Sequence, residues 1–86
     1  MFVHIGYETS VRSDAILAIL TKESAEMSAE TKALLMRLKA AGAYKESSEG
    51  VRSYVILSEA GRLSAAESAL RTKTLYERVF ANSRTY

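Results

Sequence analysis

The chain has no cysteine and a single histidine, His4, among its 86 residues. That absence limits what it can fold into more than any motif does. A domain of this size buries only about 60% of the surface its unfolded chain exposes, and it is marginal alone. Small domains are usually held by disulfides, by a metal or by oligomerisation. Without cysteine there is no disulfide and no thiolate metal site. With one histidine, a zinc site would need unusual oxygen ligands. No metal and no other cofactor is therefore expected. What remains is self-association, for which open sheet edges are the natural place, or else unusually good packing.

The opening, "MFVHIGYETSVRSDAILAIL", is apolar enough to raise the question of a secretory signal. Such a signal needs a basic start, an unbroken apolar stretch and a small-residue cleavage site. His4, Glu8, Arg12 and Asp14 interrupt this one. The longest clean run covers 15–20 and is far below the roughly 20 apolar residues needed to span a bilayer. The segment reads as part of the fold, and the expectation is a soluble, cytoplasmic protein with no membrane partner.

Period-2 alternation at 2–5 predicts a short strand, with Phe2 and His4 on one face and Val3 and Ile5 on the other. Thr9 and Val11 favour a second strand over 9–12 that pairs back on it. Ser13 and Asp14 mark a turn or a helix cap. The uninterrupted run 15–20 fits a buried strand or a buried helix; its short length and the break at 21–24 favour strand. Ser28 is a candidate cap for a helix over 28–41, with Glu30 in its first turn and Gly42 as its stop. Its expected apolar stripe is Ala33, Leu34, Leu38 and Ala41, widened by Leu35. Residues 43–46 read as a strand and 47–50 as a loop. The clearest strand is 51–57, centred on "SYVIL", and it turns at 59–62 into a hairpin partner over 63–68. A last helix is expected over 72–81, with Leu75, Val79, Tyr76 and Phe80 spaced for one face, and 82–86 should fray. The order β-β-β-α-β-β-β-α makes residues 1–86 one α+β domain. It is expected to hold an antiparallel or mixed sheet of about five to six short strands, one central helix and one C-terminal helix.

Net charge is +2, too little to imply a nucleic-acid partner by itself. The second half is the more basic: residues 51–86 carry six Lys and Arg against three Glu, while residues 1–50 carry six against seven Asp and Glu. That imbalance is a weak electrostatic pointer to an anionic partner. An enzyme is not expected. Catalysis needs a base or nucleophile positioned in a polar pocket, and one histidine, no cysteine, scattered carboxylates and isolated glycines offer neither that nor a phosphate-cradling loop. No small-molecule substrate is evident. His4 is better explained as a strand histidine bonded to a neighbour than as a ligand. Tyr44 and Tyr54 fit caps on a half-buried sheet better than stacking platforms.

Taken together, "MFVHIG", "VRSDAILAIL", "SYVIL" and "SALRTKTLYER" resemble the bacterial extracellular-matrix regulatory family RemA/RemB, the RemB side more closely. The resemblance covers nearly the whole chain, with a longer turn between Leu57 and Ser68 as one departure. It implies a compact α+β subunit that assembles into a ring and, in the RemA branch, a DNA-binding activator of matrix or biofilm genes. RemA-type proteins carry arginines after a Gly in the loop before the "SYVIL"-like strand. Arg52 matches one of those positions, and Val51 stands where another is expected. They also carry an arginine just before the third strand; Ala15 stands there, and Arg12 is the nearest arginine. The candidate DNA contacts are Arg52, Lys45, Arg71, Lys73 and Arg12. No recognition helix with base-reading residues is evident, so contacts to backbone and shape are expected. The function implied is a homo-oligomeric, DNA-associated regulator. The alternative is a ring-forming protein-interaction module that does not bind DNA.

Overall fold

Alternating inward and outward side chains at the start of the chain produce a two-stranded ribbon. The computed structural model describes residues 1–6 and 9–83. β1 (Phe2–His4) and β2 (Ser10–Arg12) pair antiparallel, with Phe2 opposite Arg12, Val3 opposite Val11 and His4 opposite Ser10. Val3 and Ile5 are buried, while Phe2 and His4 face outward as the alternation requires. His4 Nδ1 shares a 3.0 Å hydrogen bond with Ser10 Oγ across the ribbon, the neighbour bond expected of a strand histidine.

A single 3-10 turn, Ser13–Ala15, leads into β3 (Ile16–Thr21). The apolar run is strand, and apart from the exposed Leu17 it is apolar in succession because both faces are covered. Ile19 joins one core, and Ala18 and Leu20 pack against the other. Residues 21–24 read as a break but start a helix, α1 (Lys22–Met27), capped by the Thr21 hydroxyl, which accepts the Ser24 N–H at 3.0 Å. Only Ala25 of this helix is buried, so no apolar stripe announces it.

Helix α2 (Ala29–Ala40) follows at once, with Ser28 as its cap: the Ser28 hydroxyl accepts the Thr31 N–H at 3.2 Å. Leu38 is buried and Leu34 and Leu35 pack beside it, whereas Ala33 and Ala41 of the expected stripe are exposed. Gly42 takes φ 75°, and the next amide, Ala43 N–H, donates to the Leu38 carbonyl at 2.8 Å, which closes the helix. The remaining elements are β4 (Tyr44–Lys45), β5 (Ser53–Glu59), β6 (Arg62–Ser68) and α3 (Thr72–Ser83).

The main sheet has four strands in the order β3-β5-β6-β4, antiparallel except for β4 alongside β6. The expectation of one sheet of five to six strands is corrected, since the strands divide into a ribbon of two and a sheet of four. The ribbon lies over a face of the sheet. Its inward residues Val3, Ile5 and Val11 pack with Val55, Leu57 and Ala66, and α3 adds Leu75 and Val79 to that core. On the other face Leu38 of α2 packs against Ile56 and Ala65. The result is a mixed-sheet α+β domain with three helices among the described residues, one more than expected. None of the helices among the described residues is long and apolar enough to cross a membrane.

Two further corrections concern α3. Tyr76 and Phe80 do not share the buried face of Leu75 and Val79; they are 46% and 62% exposed on the flank beside it. A 100° step per residue separates the two pairs around the helix. Asn82 and Ser83, expected to fray, belong to the helix, and the rest of that expectation, 84–86, lies outside the described residues.

The hairpin between β5 and β6 turns on two residues with positive φ, Ala60 at 51° and Gly61 at 78°. Such turns match strand twist but favour Asn-Gly over Ala-Gly. An alanine in this left-handed region carries a penalty of about 1–2 kcal/mol. Ala60→Asn is expected to recover part of it and raise the melting temperature by a few degrees, at about 4–8 °C per kcal/mol for a domain this size. A thermal scan showing no rise would contradict this account of the turn.

Candidate nucleic-acid interface

Strand directions decide which cations meet. The end of β3 lies beside the start of β5, with Thr21 opposite Ser53, and the start of β5 lies beside the end of β6, with Ser53 opposite Ser68. Residues just outside this row therefore gather at one end of the sheet: Lys22 after β3, Arg52 before β5 and Arg71 before α3. An open groove of about 480 Å³ is lined by Thr21, Lys22, Glu23, Val51, Arg52, Arg71 and Thr72. Three cations thus face one carboxylate, Glu23, across a single concavity.

Arg52 is held more firmly than a loop residue needs to be. Its N–H donates to the Ser68 carbonyl at 2.8 Å, and its carbonyl accepts the Lys22 N–H at 3.0 Å. The backbone is pinned between β6 and the first turn of α1 while the residue remains exposed. Two buried serines anchor the surroundings. Ser53 Oγ donates to the Leu70 carbonyl at 2.7 Å. Ser68 Oγ donates to the Ile5 carbonyl and accepts the Leu70 N–H, the latter at 3.1 Å. Arg71 follows directly, its carbonyl accepting the Leu75 N–H at 3.1 Å as α3 begins. Neither Arg52 nor Arg71 is in a salt bridge among the described residues, while Lys22 lies 3.9 Å from Glu26 one helical turn on. Two guanidinium groups are therefore unneutralised, and each can offer forked N–H donors to an anionic oxygen.

The other candidates fall in different places. Lys73 sits in the first turn of α3, exposed and just beyond Thr72 of the groove. Lys45 ends β4 on the far edge of the sheet, in a pocket shared with Glu46, Glu49 and Glu67. Glu67 is itself engaged there, accepting from the Tyr44 hydroxyl and, at 2.9 Å, from Ser47 N–H. Burial, followed by that bond to Glu67, pushes the Tyr44 phenol's pKa well up. Tyr44 is half-buried over the sheet, as a capping tyrosine should be. Arg12 lies at the opposite end, separated by the length of β3, about 20 Å at roughly 3.3 Å per residue. It is committed to Asp14 in a bidentate pair at 3.0 and 3.2 Å, and that hydrogen bond holds the Asp14 carboxyl below its ordinary range. The geometry gathers Arg52 and Arg71, sets Lys73 nearby and leaves Lys45 and Arg12 apart. It also adds Lys22, which in the sequence stands inside an apparent break.

A scan against protein-family models finds no match for this chain, and no curated protein matches it.

Proposed function

We propose that the chain is a homo-oligomeric, DNA-associated regulator of the RemA/RemB type, and that the Arg52 end of its sheet contacts the phosphate backbone. The observation that carries this reading is Arg52, pinned, exposed and without a salt bridge among the described residues, beside Arg71 and Lys22. A cation held on a fixed backbone loses less freedom on binding than one on a mobile loop. Each subunit of an oligomer repeats the groove, so individually weak contacts sum. The groove has no base-reading helix, which favours backbone and shape recognition with little sequence preference. Control of matrix or biofilm genes is the role that the resemblance carries with it. The competing reading, a protein-interaction module that does not bind DNA, draws support from Val51 in place of a second arginine and from Glu23 in the groove.

Substitution separates the two. Arg52→Ala should weaken duplex-DNA binding and reduce the slope of log affinity against log salt by about one for each phosphate that is no longer neutralised. Fold and particle size should not change, because exposed charges contribute little to stability. Fluorescence anisotropy of a labelled duplex at several salt concentrations reads both quantities. Equal affinity and equal slope in parent and variant would remove Arg52 from the interface.

A further inference from the structure

We propose that Ser53 is a positioning residue of the Arg52 groove: its hydroxyl sets the spacing between Arg52 and Arg71, so that the two guanidinium groups meet an anionic backbone as one fixed pair. The inference deepens the reading above and rests on it. Among the described residues, Ser53 and Ser68 are the buried polar side chains, and the strand register sets them opposite each other. Ser53 shares a face of β5 with Val55 and Leu57, the face that the ribbon and α3 cover. Packing alone favours an apolar residue there, since a buried hydroxyl needs a partner. The partner is the Leu70 carbonyl, which accepts from Ser53 Oγ at 2.7 Å.

The chain positions of that bond give it a second consequence. Ser53 directly follows Arg52, and Leu70 directly precedes Arg71. The bond therefore ties the backbone beside one arginine to the backbone beside the other. Each arginine is also held by its own peptide groups. Arg52 N–H donates to the Ser68 carbonyl at 2.8 Å and the Arg52 carbonyl accepts the Lys22 N–H at 3.0 Å, while the Arg71 carbonyl accepts the Leu75 N–H at 3.1 Å. Residues 69–71 lie between β6 and α3 and belong to neither, so no ladder bond holds the Leu70 carbonyl in place of Ser53. Ser68 fastens both segments to β6, through its carbonyl to Arg52 and through its hydroxyl to the Leu70 N–H. Ser53 fastens them to each other. Both arginines nevertheless remain exposed and line the same groove. A pair fixed in advance loses less freedom on binding than two arginines that move independently. That advantage exists only while both arginines are present.

A double-mutant cycle on the full chain tests the assignment. Fluorescence anisotropy of a labelled duplex at low salt gives affinities for the parent, Ser53→Ala, Arg71→Ala and the double variant, with circular dichroism confirming that each is folded. Ser53→Ala should weaken binding about two- to tenfold, the effect of having to order one more side chain on association. The salt slope should not change, because both cations remain. In the Arg71→Ala background the same substitution should have little effect, since no second arginine is left to space. An equal loss in both backgrounds would reduce Ser53 to a contributor to packing and overturn the proposal. A Ser53→Ala affinity equal to the parent's would overturn it as well, and either result leaves the DNA reading standing. A parent that binds no duplex overturns the positioning role and that reading together. Should the alanine variant fail to fold, Ser53→Cys, close in size and a weaker donor, runs the same cycle with the same outcomes.

Discussion

Leu75→Ala is expected to lower the free energy of unfolding by about 2–5 kcal/mol, the range for truncating a buried leucine. Leu75 is fully buried and is the point where α3 enters the core shared by the ribbon and the sheet, among Val3, Ile5, Ile19, Val55 and Leu57. These neighbours belong to three different elements tied by their own hydrogen bonds, so they cannot close on the gap. Domains of this size have roughly 0.05–0.15 kcal/mol of stability per residue, and the loss is a large share of that. Leu38→Ala, beneath α2 at 9% exposure, should cost less, because the half-buried Leu34 and Leu35 beside it can shift inward. Urea midpoints at one protein concentration give the comparison, the concentration being fixed because association adds to apparent stability. A Leu75→Ala midpoint equal to the parent's would mean that α3 is not docked as described.

Ser68→Ala should be the more informative loss. It deletes one oxygen and strands two backbone groups, the buried Ile5 carbonyl and the part-buried Leu70 N–H. Leaving such a group without a partner costs about 1–3 kcal/mol. The consequence reaches the candidate interface, since the Ser68 carbonyl also holds the Arg52 N–H. Amide exchange should accelerate at Arg52 and Leu70 more than at Ile56, in mid-strand. Uniform acceleration would indicate a general loss of stability in place of a local release of the Arg52 segment.

Local signals in the chain carried most of the elements. The ribbon alternation, the apolar run of β3, the Ser28 cap and the two-residue turn after β5 each act over a few residues, and each appears where those residues put it. What escaped depends on distant residues. β4 lies within the expected 43–46, but its parallel pairing with β6, some twenty positions away, has no local signal. The ribbon separates from the sheet because Val3, Ile5 and Val11 cover a face, and alternation alone cannot distinguish an added strand from a covering one. Helix α1 buries a single alanine and so has no stripe. Lys22 was missed with it. The Thr21–Ser53 register brings Lys22 to Arg52, and a reader of the sequence does not have that register. Arg12 stands near the position before β3 where the resemblance expects an arginine, but it lies far from Arg52 in space, because β3 spans the sheet between them.

On the proposed reading, the end of the sheet carrying Arg52, Arg71 and Lys22 binds the phosphate backbone. The most direct measurement is the affinity of the unmodified protein for a labelled duplex of arbitrary sequence, at about 50 mM and about 200 mM salt. The account predicts clear binding at the lower salt and a steep loss at the higher one, as release of counterions requires. It also predicts little difference between unrelated duplexes. No binding at the lower salt would contradict it and leave the protein-interaction reading in its place.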